Sequence, residues 1–248
     1  MPGSRSRVAT LSKPESAIGR LVRISLVLVV GCTALAWGGL SAKRGAASDV
    51  FRDIETHLLK FETFSPASAA ATLDGDAAQK LSACDAHAQR ALLLLEIPLA
   101  YAALQSGAVQ EFDRRSRSLE SRARQTLGCS PRDSFVWMVL FGLYAGRGQV
   151  DEHSFDLLRM SYETSPHEAW IAVRRVTVAV PVILSAPETL RQRILAEYNY
   201  LVQKRFMEMP VRVYLNSPPA VRSLLQASID QLGAKEKEAF AAALKKLS

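Results

Sequence analysis

Apolar residues recur along most of this chain at the spacing of α-helices. From residue 77 to the C-terminus they return every three or four positions, and glycines and prolines repeatedly interrupt the pattern. The pattern predicts helices over residues 77–105, 109–127, 133–146, 151–164, 168–183, 187–206, 218–232 and 234–247. Only Val211–Leu215 alternates as a short strand does, and Ser217, which precedes two prolines, is placed to begin a helix. The chain is therefore predicted to be all-α.

A shorter pattern precedes these helices. Residues 49–64 are predicted to form an amphipathic helix with one apolar stripe. The stripe consists of Val50, Ile54, Leu58 and Phe61. It fits either docking on the helical domain or a short seam between the two copies of a homodimer. The following stretch, residues 65–72, is rich in serine and alanine and is predicted to be a linker.

The most apolar stretch of the chain is residues 24–40, which carry no charge. At about 1.5 Å per residue, its 17 residues are barely enough to cross roughly 30 Å of hydrocarbon as a helix. The basic arm before it, residues 1–23, predicts a cytoplasmic N-terminus and an exported remainder. We therefore expect an uncleaved transmembrane signal anchor.

Two other interpretations of this stretch remain open. Val29–Cys32 resembles a bacterial lipobox, in which Cys32 would receive a lipid after cleavage. Ala34–Ala36 is a small-x-small site of the kind that signal peptidase cleaves. All three interpretations export the rest of the chain.

Charge is distributed unevenly along the 248 residues. The formal net charge is +7, but residues 41–248 hold 26 Lys and Arg against 23 Asp and Glu. The excess therefore lies mainly in the N-terminal arm. Because aromatic residues are few and are not interleaved with basic ones, nucleic acid is not an expected partner.

Residues 131–166 carry the one specific repeat motif. Pro131 precedes Trp137 by six positions, and Leu140 and Tyr144 follow on the same predicted helix. The second predicted helix adds Ser154, Leu158, Ser161 and the terminal Pro166. This arrangement resembles the tetratricopeptide repeat, although Phe141 replaces a small residue and Trp170 follows Pro166 by four positions instead of six. The resemblance implies a right-handed array of antiparallel helical hairpins whose groove binds other proteins.

The predicted hairpin about Gly107 brings two cysteines to the same end. Cys84 lies 23 residues before this turn and Cys129 lies 22 residues after it. If the helices run antiparallel, these thiols meet, and in an exported protein they would form a disulfide. The alternative is a pair of buried free thiols, since cysteine is common in cores.

Motifs that carry enzyme chemistry are missing from the sequence. It contains no glycine-rich phosphate loop, nucleophile elbow, His-Glu-x-x-His or Cys-x-x-Cys. Cys84 and His87 are one turn apart, but no second pair of metal ligands accompanies them. We expect no cofactor and no metal.

Several charged residues are nevertheless candidates for a site. Glu96 interrupts an apolar run and needs a partner if it is buried. One predicted helix carries five arginines that could bind an anion, although neighbouring acids favour internal pairing. They are Arg114, Arg115, Arg117, Arg122 and Arg124. One arginine of the Arg174–Arg175 pair is expected to meet an acid on a neighbouring helix, because that helix also buries apolar residues.

The sequence thus predicts four regions. They are a cytoplasmic arm (1–23), a transmembrane anchor (24–40), a juxtamembrane helix with linker (41–73) and a tetratricopeptide-like domain (74–248). We expect a non-catalytic protein–protein interaction scaffold in a bacterial inner membrane, with its C-terminal domain in the periplasm and a role in polysaccharide or envelope assembly. The alternative is an envelope enzyme or polysaccharide-binding subunit that uses Glu96 and the arginine-rich helix.

Overall fold

A computed structural model of the chain describes residues 17–165 and 168–247, and describes only the backbone of residues 17–24 and 39–47. Within these ranges it contains helices and no strand, which confirms the all-α prediction. The α-helices are α1 (Ala17–Leu59), α2 (Pro66–Asp74), α3 (Asp76–Gln79), α4 (Ala86–Gln105), α5 (Val109–Cys129), α6 (Ser134–Gly146), α7 (Glu152–Thr164), α8 (Ala169–Ala179), α9 (Glu188–Gln203), α10 (Glu208–Asn216), α11 (Pro219–Ile229) and α12 (Ala234–Leu247). A 3₁₀ helix, Val180–Ser185, follows α8.

The chain divides into two compact units, Met1–Ala47 and Ser48–Ser248. In the first unit, the apolar side chains described between residues 25 and 38 are exposed. Among the helices of the described residues, none is long and apolar enough to cross a membrane. The side chains of Ile24, Gly39 and Leu40, at the ends of the predicted anchor, lie outside the description, as do residues 1–16 of the predicted arm.

The second unit is built from helical hairpins that share a main hydrophobic core, and a smaller cluster around Phe51 and Leu92 lies beside it. Helix α4 packs on α5 and α6 packs on α7, in each case across a short connection. Gly107 turns the first hairpin with a left-handed φ of 71°, a conformation that glycine adopts without strain. Helix α8 packs on both α6 and α9, and α10 to α12 close the C-terminal side of the core.

The α6–α7 hairpin contains the residues that resemble a tetratricopeptide repeat. Leu140 and Leu158 are buried between its helices, and the Trp137 indole N–H donates to the Pro131 carbonyl at 2.8 Å. Ser134 and Ser161 exchange hydrogen bonds to each other's carbonyl at 2.8 and 2.9 Å, so the helices approach closely where both residues are small. The large Phe141 is accommodated beside Phe155, at a ring-centroid distance of 6.3 Å, and Pro166 lies outside the described residues.

The predicted helix over residues 77–105 is wrong at its N-terminal end. A short helix ends at Gln79, and a loop separates it from α4. The Asp85 carboxylate ends this loop by accepting a hydrogen bond from the Ala88 N–H at 3.1 Å. An N-cap of this kind satisfies a donor in the first turn of a helix, so α4 begins at Ala86.

The predicted linker over residues 65–72 is also wrong, because most of it belongs to α2. Ser65 is the N-cap of α2, and its hydroxyl accepts a hydrogen bond from the Ser68 N–H at 3.1 Å. Pro66 occupies the first helical position, where its missing N–H costs nothing. Serine followed by proline was therefore a helix start within an otherwise linker-like composition.

Two predictions near the C-terminus need correction. Val211–Leu215 is not a strand but part of α10, which packs on α8 and α12 and so buries Val211 and Val213 on different sides. Ser217 does not begin a helix. Its hydroxyl instead donates back to the Val213 carbonyl at 2.6 Å, and Pro218 is the N-cap of α11.

The apolar stripe of residues 49–64 is shifted from its predicted position. Phe51 and Leu58 are buried, whereas Val50 is 59% exposed and Phe61 is 48% exposed. The helix ends at Leu59, and Phe61 takes a left-handed φ of 63°, so it leaves the helical face. Ile54 and Leu58 pack on the main core.

Candidate binding pocket

A partly enclosed cavity of the second unit lies beside the C-terminal half of α4. Its volume is about 500 Å³. Its walls come mainly from helices α4, α6 and α8 and from residues 58–66, which run from the end of α1 to the start of α2. Phe112 and Leu119 line it from α5. Nearly all of the side chains that line it are apolar, including Leu94, Ile97, Met138 and Val139.

Small residues on facing helices leave this space unfilled. Ala100 and Ala102 line the pocket from α4, and Gly142 and Gly146 line it from α6. A Cβ atom at Gly142 would already touch the Val178 side chain at 3.4 Å, so α6 and α8 approach closely there. Protein cores are normally packed without large voids, so a pocket of this volume is a distinct feature of the fold.

Aromatic and aliphatic side chains are exposed at the mouth of the pocket. Tyr101 is 60% exposed and Leu104 is 45% exposed, and both also line the cavity. Phe61 lines the cavity from the connection between α1 and α2, and its ring centroid lies 4.2 Å from the guanidinium carbon of Arg174. A left-handed conformation is unfavourable for phenylalanine, and such strain is often found at ligand sites.

Arg174 provides the one positive charge that lines the pocket. Its Nη1 donates to the Trp170 carbonyl at 3.0 Å and its Nη2 donates to the Leu58 carbonyl at 2.7 Å. Within the described part of the chain, no carboxylate lies within 4 Å of its guanidinium. Burial without a counter-charge lowers the pKa of Arg174 to about 10. The other charged lining residue, Glu62, lies 3.9 Å from His57 Nε2.

Arg175 has the opposite environment, although it is the next residue. Its side chain is fully buried, and Nη2 donates to Glu197 Oε1 on α9 at 2.5 Å. Nη1 donates to the Ser161 carbonyl, and the Tyr162 hydroxyl donates to Glu197 Oε2 at 3.0 Å. Burial raises the pKa of Glu197, while the hydrogen bonds from Arg175 oppose that rise. The expectation that one arginine of the pair meets an acid on another helix is confirmed.

Glu96 lies outside the pocket, between α4 and α5. It is buried and accepts a hydrogen bond from the Ser118 hydroxyl at 3.1 Å. Burial raises its pKa, and Ser118 and the nearby Arg122 counteract the rise. Arg122 itself donates to the Gln89 side chain at 2.9 Å, so it does not bond Glu96 directly.

The arginine-rich helix is α5, and acids on the same helix occupy several of its guanidinium groups. Arg114 and Arg115 both bond Glu111, with nitrogen–oxygen distances of 2.8 and 2.6 Å. Arg124 donates to Glu120 on the same helix and to the Tyr144 hydroxyl of the next hairpin. Arg117 is exposed. The five arginines therefore do not converge on one exposed anion site.

The cysteines are found in two states. Cys84, just before α4, and Cys129, the last residue of α5, are joined by a disulfide with their Cα atoms 5.1 Å apart. Cys32 is a free and exposed thiol, and its lipidation stays a prediction. His87 Nδ1 lies 2.7 Å from Glu55 Oε2, and the described residues include no group of three or more His, Cys, Asp or Glu that could hold a metal ion.

A buried ion network links the C-terminal part of α1 to α4 and α6 and was not predicted from the sequence. Arg90 Nη1 donates to Glu55 Oε1 at 2.6 Å, and its Nη2 donates to Asp133 Oδ2 at 2.8 Å. Asp133 is also the N-cap of α6. The only available signal was the acidic Glu55 one turn from Phe51 and Leu58, on the face that is now seen to be buried.

The pocket and the place of Arg174 in it were also not predicted from the sequence. The sequence signal for the pocket was the set of alanines on α4 and glycines on α6. Small residues leave a cavity only where two helix faces oppose each other, and the sequence did not show which faces do. Comparison of this chain with family models, with curated proteins and with solved structures found no match.

Proposed function

We propose that this protein is a non-catalytic, membrane-anchored binding protein of the bacterial cell envelope whose pocket receives an apolar group. The observation that carries the proposal is the 500 Å³ cavity with apolar walls and exposed apolar side chains at its mouth. Ligand pockets in proteins have this size and this mainly apolar lining, with a few polar groups that orient the ligand. Covering the exposed aromatic and aliphatic surface at the mouth would favour binding.

The proposed location has two sources of support. Residues 24–40 carry no charge and follow a basic arm, as a signal anchor does. The disulfide between Cys84 and Cys129 is a bond that persists in oxidising compartments such as the periplasm. We therefore propose that residues 48–248 function outside the cytoplasm.

The scaffold part of the proposal rests on the helical hairpins. The hairpin of α6 and α7 has buried Leu140 and Leu158 between its helices, and Tyr144 reaches the preceding hairpin through Arg124. Stacked hairpins with such contacts are the basis of tetratricopeptide-like arrays, which bind protein partners. We propose that the domain presents its bound group to a protein partner in the envelope.

An envelope enzyme or polysaccharide-binding subunit centred on Glu96 has less support. Glu96 is buried between two helices, away from the pocket, and Ser118 already donates to it. On α5, Arg114 and Arg115 form ion pairs with Glu111, and Arg124 forms one with Glu120. These guanidinium groups are therefore already paired with acids of their own helix.

The pocket can be tested by photolabelling of the full chain in lipid nanodiscs. A neutral long-chain alcohol that carries a diazirine is the probe, and mass spectrometry of the digested protein maps its attachment. We expect labels on the second half of α4 and on α6. The substitution Ala102→Trp places a large ring on an exposed residue that lines the pocket, and it should lower this labelling about tenfold.

The matched control is Ala241→Trp. Ala241 is also exposed but lies on α12, outside the pocket. Labelling of α4 and α6 that is as strong in Ala102→Trp as in Ala241→Trp would overturn the proposed function.

A further inference from the structure

The pocket combines an apolar interior with one cation that lacks a counter-charge. A guanidinium has five N–H donors, and the two hydrogen bonds of Arg174 go to neutral backbone carbonyls. The remaining donors have no acceptor in the described part of the chain. The Phe61 ring contacts one face of the guanidinium, and both side chains are partly exposed, so an anion that enters from solvent can reach the remaining donors.

We propose that the pocket binds an anionic amphiphile, with a single alkyl chain along the apolar walls and a carboxylate or phosphate head group on Arg174. This inference rests on the proposed function, because it names the class of ligand for the same pocket. Arg174 is the residue that binds the head group.

Charge complementarity supports an anionic head group. The neighbouring Arg175 is neutralised by Glu197 at 2.5 Å, whereas Arg174 on the same helix is not neutralised at all. Burial lowers the pKa of Arg174 to about 10, because no neighbouring carboxylate offsets the desolvation of its charge. A carboxylate or phosphate would supply the missing charge, and its planar or tetrahedral oxygens accept paired hydrogen bonds from a guanidinium. Glu62 is the one acid that lines the pocket, and it lies near His57.

The walls favour an alkyl chain over a peptide. Except for the short connection between α1 and α2, they are helices whose backbone groups are already hydrogen-bonded within each helix. An extended peptide buried along these helices would leave most of its own N–H and C=O groups unpaired. A helical peptide satisfies those groups internally, but its diameter of about 10 Å means that the cavity would admit roughly one turn. An alkyl chain has no polar groups along its length and bears its charge at one end.

The test is competition against the neutral diazirine probe in the full chain. Hexadecanoate and hexadecyl phosphate are compared with hexadecanol, which has the same chain length and no charge. In the unmodified protein we expect both anions to displace the probe about tenfold to a hundredfold more effectively than the alcohol. Arg174→Met should remove this preference, and Arg174→Lys should retain most of it because the charge remains. Every variant experiences the same bilayer. Partitioning of a competitor into the lipid therefore cancels when its effect is compared between two variants.

Arg212→Met is the control for loss of charge. Arg212 is exposed on α10 and pairs with Glu208, outside the pocket, so this variant should keep the anion preference. Labelling of Arg174→Met by the neutral probe shows that its pocket is still formed. If labelling persists but the preference for the anions is the same in the unmodified protein and in Arg174→Met, the inference fails and the proposed function stands. If the pocket is not labelled at all, both fail.

The two head groups are distinguished by the same competition. Preference for hexadecanoate identifies a fatty-acid-like ligand, and preference for hexadecyl phosphate identifies a phospholipid-like one. Either result supports an anionic amphiphile. Displacement only by an acidic peptide, with no effect of either alkyl anion, would overturn the inference.

Discussion

Arg174 and Arg175 show how one residue position in a helix decides the role of a charge. Adjacent positions on a helix differ by about 100° in direction, so Arg175 points into the core and Arg174 points towards the pocket. The sequence predicted that one of the two meets an acid. It could not say which, because the answer depends on where α9 places Glu197.

The buried pair of Arg175 and Glu197 should be sensitive to loss of one member. Because Arg175 is fully buried, Glu197→Leu would leave its charge uncompensated, and we expect the free energy of unfolding to fall by about 3–5 kcal/mol. The double variant Arg175→Met with Glu197→Leu should recover much of this loss, since no unpaired charge then remains. Chemical unfolding followed by circular dichroism measures both.

The exposed pair of Arg212 and Glu208 is the control for the buried pair. Arg212→Met should cost less than about 1 kcal/mol, because exposed ion pairs contribute little to stability. An equal loss in Glu197→Leu and Arg212→Met would contradict the importance of burial at Glu197.

At the scale of elements, helix type was predictable and several boundaries were not. Glycines and prolines marked the ends of most helices after residue 109, because these residues end helices through their own backbone properties. The errors at Ser65 and Asp85 arose where an N-cap signal stood inside an apparently continuous pattern. Val211–Leu215 was misassigned because burial on two sides of α10 mimics the alternation of a strand.

The disulfide links two elements, because it joins the region just before α4 to the end of α5. We predict that its removal destabilises the fold. Cys84→Ser combined with Cys129→Ser should lower the free energy of unfolding by about 2–4 kcal/mol, because the closed loop spans 45 residues. Thermal or chemical unfolding of the full chain measures the change.

Cys32→Ser provides the matched control for this experiment. Cys32 is exposed and is not bonded to another cysteine, so its substitution should leave stability unchanged. A double variant as stable as Cys32→Ser would show that the bond does not stabilise the fold.

The pocket belongs to the scale of the whole molecule. No window of the sequence encodes it, because its walls come from α4, α5, α6, α8 and residues 58–66. Alanines and glycines on two helices create a cavity only when those faces oppose each other. The sequence therefore predicted the helices that form the pocket but not the pocket.

The intact mass of the protein tests the proposed membrane anchor and the proposed export of residues 48–248. Protein extracted from its native membrane should have the mass of the full chain and should gain two hydrogens on reduction of the Cys84–Cys129 bond. A chain that begins at Cys32 with added acyl mass would identify a lipoprotein, and one that begins at Trp37 would identify a cleaved signal. A full chain with three free thiols would contradict export.

The attachment of residues 48–58 has a mechanical consequence. Glu55 is bonded to Arg90, 35 positions away, and the Leu58 carbonyl accepts from Arg174, 116 positions away. Tension applied to the chain before residue 48 would therefore pass into α4 and α8 through these bonds, before it could stretch the connection that leads to α2. The attachment of residues 48–58 therefore depends on the Glu55–Arg90 ion pair and on Arg174, the same arginine that lines the pocket.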